Sequence, residues 1–435
     1  MSDYNDDDEV PQDFAQYLRD FIESQGGLDT EALAKVAGIP NDPETIKKLL
    51  GQMASAMTNA EPLAGAVNWE LAEKQARSTA RTGGTAISTK QRDEIDNALR
   101  IAALWLDDAT VIPAVNSDPK LLTRELWVAD ALPLFKQMST PVATRMAEAL
   151  SKNMQANLPE NMGQLSDQMG RFLQNAAAAM FAMQLGGALG KLSAEVLSGG
   201  DIGLPIFSER AALIPQNLEQ FASDFQITGD QSYIFLCIRE LAYARLFKNS
   251  KWLRDTVVAQ ITKYASEIDI DVEQLARMAE ENNLSDPEEM KKLIESGAFI
   301  AERTDAQQVA LTAIENLLAL VDGWVEYVTV EATKLLPDSR RIAEAVQRRR
   351  LDGGPAEKTF GTLVGLQLRP RRIRDAVALW RAVTEQLGVQ RRDAIWTHPD
   401  LLPTEDELND PSKLIARLNT DGGDWDGALR DLLDN

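Results

Sequence analysis

The amino-acid sequence predicts a mostly α-helical protein with few or no strands. Three observations carry this expectation. Apolar residues recur at intervals of three and four over long stretches, which is the period of a one-sided helix. Ala and Leu are abundant while aromatics make up only 6% of the chain, a bias toward helix formers. No long stretch alternates apolar and polar residues as a half-buried strand would, and there is no internal repeat.

Taken in order, the first nine residues, ending in Asn5-Asp6-Asp7-Asp8-Glu9, are polar and acidic and read as a disordered tail. Phe14, Tyr17, Leu18 and Phe21 then form a helical stripe that Gly26-Gly27 ends. Short helices are expected at 30–37 and 43–57, with Gly38-Ile39-Pro40 between them and a loop over 58–67 containing Pro62 and Gly65. Asn68 is placed to cap a helix beginning at Trp69, and Ser88-Thr89-Lys90-Gln91 is a capping box opening a helix with Ile95, Leu99, Ala102 and Leu106 on one face. A helix from Arg124 carries Trp127, Val128 and Ala131, and longer helices are expected at 140–158 and 162–197. In the second of these, Gly186 and Gly190 allow a close helix–helix approach. The run Ser198-Gly199-Gly200-Asp201-Ile202-Gly203-Leu204-Pro205 is a break.

Helices then follow from Asp230 to Asn249, over 251–267 and 271–282, from Asp286-Pro287, and over 305–334. The last is the longest, with Leu311, Ile314, Leu318, Val321, Val325 and Val328 as its buried face and Pro337 as its stop. Residues 353–372 are rich in turn formers, 373–387 read as a helix, and the prolines of His398-Pro399-Asp400-Leu401-Leu402-Pro403 predict extended chain before a small acidic helix. On the usual domain size of roughly 100–200 residues, the chain divides into an acidic tail with short helices (1–60), a helical domain (61–200), a helical core (201–350) and a basic, turn-rich segment with C-terminal helices (351–435).

The net charge of −22 disfavours nucleic acid and anionic membrane as partners. The charge is uneven: Asp338 to Arg392 holds 13 Lys/Arg against 6 Asp/Glu, a basic stretch suited to an acidic partner or to an acidic part of the same chain. The one cysteine, Cys237, permits no intramolecular disulfide and fits a reducing compartment. The acidic start is unlike a signal peptide. The most apolar window, Ala176 to Leu197, is interrupted by Gln184, Lys191, Ser193 and Glu195, so no membrane span is expected. A cytoplasmic protein is the reading. With His398 as the one histidine, far from Cys237, a conventional zinc site cannot be assembled, and no metal or other cofactor is expected. A carboxylate-only magnesium or calcium site stays open, although no calcium-loop motif is present.

The most informative motif is Arg239-Glu240-x-x-Tyr243. It has the spacing of the zinc-protease H-E-x-x-H helix, in which two histidines on one face hold the metal and the glutamate is the general base. Here Glu240 keeps the base position, and Arg239 and Tyr243 stand at the ligand positions. Two readings are open: an ordinary amphipathic helix with a partly buried ion pair, or a remodelled site in which the Arg239 guanidinium supplies the positive charge of the metal. Cys237, among Phe235, Leu236 and Ile238, reads as a small buried hydrophobe, and His398 as a structural hydrogen-bonding residue. The Arg runs at 348–350 and 371–374 lack interleaved aromatics and read as ion-pair anchors rather than a base-stacking surface. Neither Gly199-Gly200 nor Gly353-Gly354-Pro355 is a phosphate loop, and there is no serine nucleophile elbow.

Several segments together resemble one family. They are Val67-Asn68-Trp69, Leu104-Trp105-Leu106-Asp107, Gly199-Gly200-Asp201-Ile202-Gly203-Leu204-Pro205, the stretch Arg239 to Phe247, Gly354-Pro355-Ala356-Glu357, and His398 to Pro403. Their order and wording resemble the actinobacterial zinc-dependent metalloprotease-like family of candidate hydrolases, over nearly the whole chain after about residue 60. The resemblance implies a mostly helical, zincin-like fold with the motif helix at its centre, so that 201–350 becomes the metalloprotease-like core. It also implies a peptidase-type zinc hydrolase in intact members. A third zinc ligand is expected there from an acidic-Gly-His segment, whose counterpart is Asp322-Gly323-Trp324, with Trp324 at the ligand position. Carried over, Glu240 remains as the base while Arg239, Tyr243 and Trp324 replace ligands. The expectation is an inactive, zinc-free binding or regulatory protein with a protein or peptide partner. The alternative is a hydrolase that uses Glu240 as general base in a non-standard site.

Overall fold

The computed structural model describes residues 67–157, 163–207, 209–268, 304–351 and 372–420. All of them lie in one compact unit formed by 63–271 and 300–435. The expected elements at 1–57, 271–282, Asp286-Pro287 and 353–371 fall outside the described residues.

Helix α1 (Trp69–Arg81) starts where Asn68 predicts, because the Asn68 side chain accepts a hydrogen bond from the Leu71 amide at 3.0 Å. The Ser88–Gln91 capping box is complete at the start of α2 (Thr89–Ala109). The two helices expected after Arg124 are one, α3 (Arg124–Asn157), which runs through Pro133 and Pro141. Helix α4 (Gly163–Glu195) packs against α1 and α3. A Cβ on Gly186 would run into the Ala72 carbonyl and one on Gly190 into Thr79, so the small residues allow α1 and α4 to touch backbone to backbone.

The only two strands among the described residues are one before α3 and one after α4. Strands β1 (Lys120–Leu121) and β2 (Ala212–Leu213) pair in parallel, Lys120 with Ala212 and Leu121 with Leu213, and Ser198 bridges antiparallel to Leu213. Helices α5 (Pro215–Asp224), α6 (Gly229–Asn249) and α7 (Lys251–Ser266) follow. The first of these, with Pro215 at its first position, was not anticipated from the sequence.

Helix α6 carries the motif and is the centre of the fold. From Phe235 to Phe247 every residue except Leu241 is buried, as in a core helix covered on all sides. It packs against α2, α5, α7 and β2, and against α8 (Asp305–Ala332) and α9 (Ser339–Leu351). The predicted buried face of α8, from Leu311 to Val328, is buried throughout. Helix α8 is long and apolar enough to cross a membrane, but 67% of its most apolar window is buried inside the protein.

Helix α9 is a second element missed from the sequence. Helix α10 (Ile373–Ala394) breaks at Gly388, where φ is 82°, so its first segment ends at the expected residue 387 and a second segment runs on to Ala394. The residues after His398 form a short 3₁₀ turn (Pro399–Leu401) rather than extended chain, because Pro399 fits the first turn of a helix. The acidic helix that follows is α11 (Glu405–Asn409).

Candidate functional site

Glu240 lies on the face of α6 turned toward the break at 198–203 and toward β2. Its side chain is buried, and both carboxylate oxygens accept backbone amides. Gly200 N donates to Oε2 and Ala212 N to Oε1, each at 2.8 Å. Burial pushes its carboxyl up to about 7, against the hydrogen bonds from Ser198, Ala212 and Gly200 that favour the charged form. The loop lies directly on the helix: a Cβ on Gly200 would run into the Tyr243 ring. The carboxylate therefore sits under the chain and ties the 198–203 loop and strand β2 to the central helix.

One turn further on, Tyr243 is the hub of a buried ion network. Its hydroxyl donates to Asp322 Oδ1 and accepts from Arg239 Nη2 at 3.0 Å and Arg350 Nη2 at 3.1 Å. Arg239 is 4% exposed, stands over the Tyr243 ring at 5.3 Å and lies 4.0 Å from Asp322. The hydrogen on its Nε has no partner. Arg350, from α9, reaches Asp322 with both terminal nitrogens, at 3.1 Å to Oδ2 and 3.2 Å to Oδ1, and also bonds the Asp201 carbonyl at 3.1 Å. Burial alone would lower the Arg350 basicity, but Asp322, Tyr243 and Asp201 together raise it well above the ordinary arginine value. Burial, together with the charge of Asp322, pushes the Tyr243 phenol up, so it stays a neutral donor.

The neighbouring arginine closes the arrangement. Arg349 forks onto Asp201 at 2.8 and 3.1 Å, and Asp201 also accepts the Leu197 amide at 3.0 Å. Burial would raise the Asp201 carboxyl, but the attraction of Arg349 and Arg350 and these hydrogen bonds hold it below its ordinary value. Arg349 and Arg350 of the 348–350 run thus work as the ion-pair anchors its composition suggested, and their acidic partners belong to the same chain.

Of the four sequence-predicted site residues, Arg239, Glu240 and Tyr243 share one neighbourhood and Trp324 does not. Positions two apart on a helix point to different sides, so Asp322 faces Tyr243 while Trp324 faces α10. There its Nε1 donates to Asp393 Oδ1 at 2.9 Å, its ring meets Trp396 edge-on at 6.3 Å, and Arg392 stands over it at 5.9 Å. Trp324 thus belongs to a cluster that fastens α8 to α10. Asp322 and Asp201 are the site members that sequence reasoning did not single out, and Arg349 and Arg350, read as ion-pair anchors, were not placed at this site. The available signal was an aspartate in the middle of a long apolar helix, since a buried carboxylate requires a cationic partner. Cys237 is fully buried, with its thiol pushed up by burial, as expected of a small core residue. His398 is exposed and its Nδ1 accepts from the Asp400 amide at 3.3 Å, a local structural role.

A sequence profile of the zincin-like metallopeptidases matches residues 67–415. Among solved structures, the chain is similar to a candidate hydrolase with a novel fold from Chloroflexus aurantiacus. The TM-score is 0.56 and the identity 18%, over 81% of this chain and 99% of the other. At that identity the likeness speaks for the fold. No curated protein matches the chain.

Proposed function

Because the chain belongs to the zincin-like metallopeptidase family, we propose that it is a member whose motif helix has exchanged a zinc centre for a buried ion network. In this reading it acts as a cytoplasmic, catalytically inactive binding or regulatory protein of the actinobacterial branch, with a protein or peptide as partner. The observation that carries the reading is the donor set around Glu240. Zinc takes neutral imidazole, thiolate and carboxylate ligands. The motif positions instead present a guanidinium that cannot be deprotonated and a phenol kept neutral by burial. A second guanidinium, Arg350, already occupies both oxygens of Asp322, and the Glu240 oxygens are taken by backbone amides. Among the described residues no three His, Cys, Asp or Glu side chains stand together as a metal would need. These residues do not fit a zinc ion. Elemental analysis of the purified protein tests the reading: sub-stoichiometric zinc is expected, and one tightly held equivalent overturns it.

One observation favours a second reading, a hydrolase with Glu240 as base. A carboxyl pushed up to about 7 is suited to proton transfer near neutral pH. Against it, both oxygens of that carboxyl already accept backbone amides and the side chain is buried beneath the 198–203 loop. A peptide-substrate screen on the wild type and Glu240→Gln separates the two, with equal background turnover expected; activity lost in the variant would favour the hydrolase.

A further inference from the structure

Arg350 sits in a socket built from oxygen atoms. Its guanidinium meets both carboxylate oxygens of Asp322, the Tyr243 hydroxyl and the main-chain carbonyl of Asp201, all at 3.1 or 3.2 Å. These oxygens come from α8, α6 and the loop after α4. An oxygen-lined pocket with one shared carboxylate is the environment that hard cations select, and here a side chain from a fourth element, α9, fills it. Arg239, the residue that the motif singles out, is the more distant cation: it lies 4.0 Å from Asp322 and acts mainly through the Tyr243 hydroxyl.

We propose that this socket is a cation site with a chain-borne occupant. Arg350 supplies from α9 the positive charge that holds α6, α8 and the 197–203 loop together, and Arg349 sets its position by clamping Asp201. The proposal rests on the reading that no metal occupies the motif helix. Without the Arg350 side chain, the socket is a binding site for a small guanidinium cation: one terminal nitrogen of Arg350 bonds Asp322 Oδ1, the Tyr243 hydroxyl and the Asp201 carbonyl, and the other stands at ion-pair distance, 3.1 Å, from Asp322 Oδ2.

The test is thermal unfolding of the full chain as wild type, Arg350→Ala and Arg340→Ala, with and without methylguanidinium or methylammonium at the same ionic strength. Arg340 is the control, its side chain being 94% exposed. Arg350→Ala is expected to lower the midpoint by roughly 5 °C or more, because it leaves Asp322 with a weakened counter-charge in the interior. Arg340→Ala should shift it by no more than about 1 °C. Methylguanidinium at about 10–50 mM should restore a measurable part of the Arg350→Ala loss, as a ligand of the native state does, while methylammonium should not. Arg350→Ala behaving like Arg340→Ala, or responding equally to both cations, overturns the proposal. If Arg350→Ala does not fold, Arg350→Lys decides: it keeps a charge but not the second terminal nitrogen beside Asp322 Oδ2, so an intermediate midpoint is expected and wild-type stability refutes the socket. Zinc content of the wild type is measured on the same preparation. Bound zinc would sink the functional reading, whereas a zinc-free protein indifferent to loss of Arg350 sinks only this inference.

Discussion

At the scale of single residues, Glu240 makes a pH prediction whose sign can be worked out. Its folded-state carboxyl is raised from 4.5 to about 7. A group raised on folding contributes stability that is complete below its unfolded value and is lost as pH rises through its folded one. The window is therefore about pH 4.5 to 7, and the shift corresponds to a contribution on the order of 3 kcal/mol. Urea unfolding across that window should show a fall in wild-type stability that Glu240→Gln lacks. Parallel curves for the two proteins would mean that the carboxyl does not titrate there. Asp322 makes the complementary prediction. It is the shared anion for Arg239 and Arg350, so Asp322→Asn leaves two buried guanidiniums under-compensated and should cost about 3–5 kcal/mol. Combined with Arg350→Ala, the loss should be smaller than the sum of the single losses, because both changes remove one interaction. Full additivity in that cycle would show that the two residues do not interact.

At the scale of elements, what the sequence disclosed followed the strength of the local signal. The caps at Asn68 and Ser88 and the stripe of α8 were legible because each is a short-range rule with one partner a few residues away. The boundary inside α3 was misplaced because Pro133 and Pro141 normally end helices, yet packing of Trp127, Val128, Phe135 and Met138 carries this one through. Strands β1 and β2 are two residues each and have no period to detect. The motif helix was legible as a face bearing Arg239, Glu240 and Tyr243. Its partners were not, because Asp201, Asp322 and Arg350 come from three other elements and nothing local joins them. The loop at 198–203 illustrates the same limit. Its glycines read as a break, but Gly200 is there so that backbone can lie against Tyr243. Gly200→Ala should therefore cost about 1–3 kcal/mol and, by lifting the loop, speed amide exchange at Gly200 and Ala212. Exchange unchanged at those two amides would show that their bonds to Glu240 do not depend on the loop's close approach.

At the scale of the whole molecule, the surface and the interior carry opposite electrostatic problems. The chain has a net charge of −22, and self-repulsion at that charge works against the compact state. The interior answers with arginines that are paired locally: Arg349 with Asp201, Arg350 with Asp322, and Arg392 with Asp393. Salt separates these two contributions, because it screens exposed charges over about 10 Å at 0.1 M and buried pairs much less. Raising sodium chloride from about 20 to 200 mM should therefore raise the unfolding midpoint of the wild type by relieving surface repulsion. Arg350→Ala should begin lower and rise by nearly the same increment, since what it lacks is shielded from the added ions. A variant whose deficit closes as salt is added would place the Asp322 cluster in contact with solvent, and would remove the basis for treating it as an internal replacement for a bound cation.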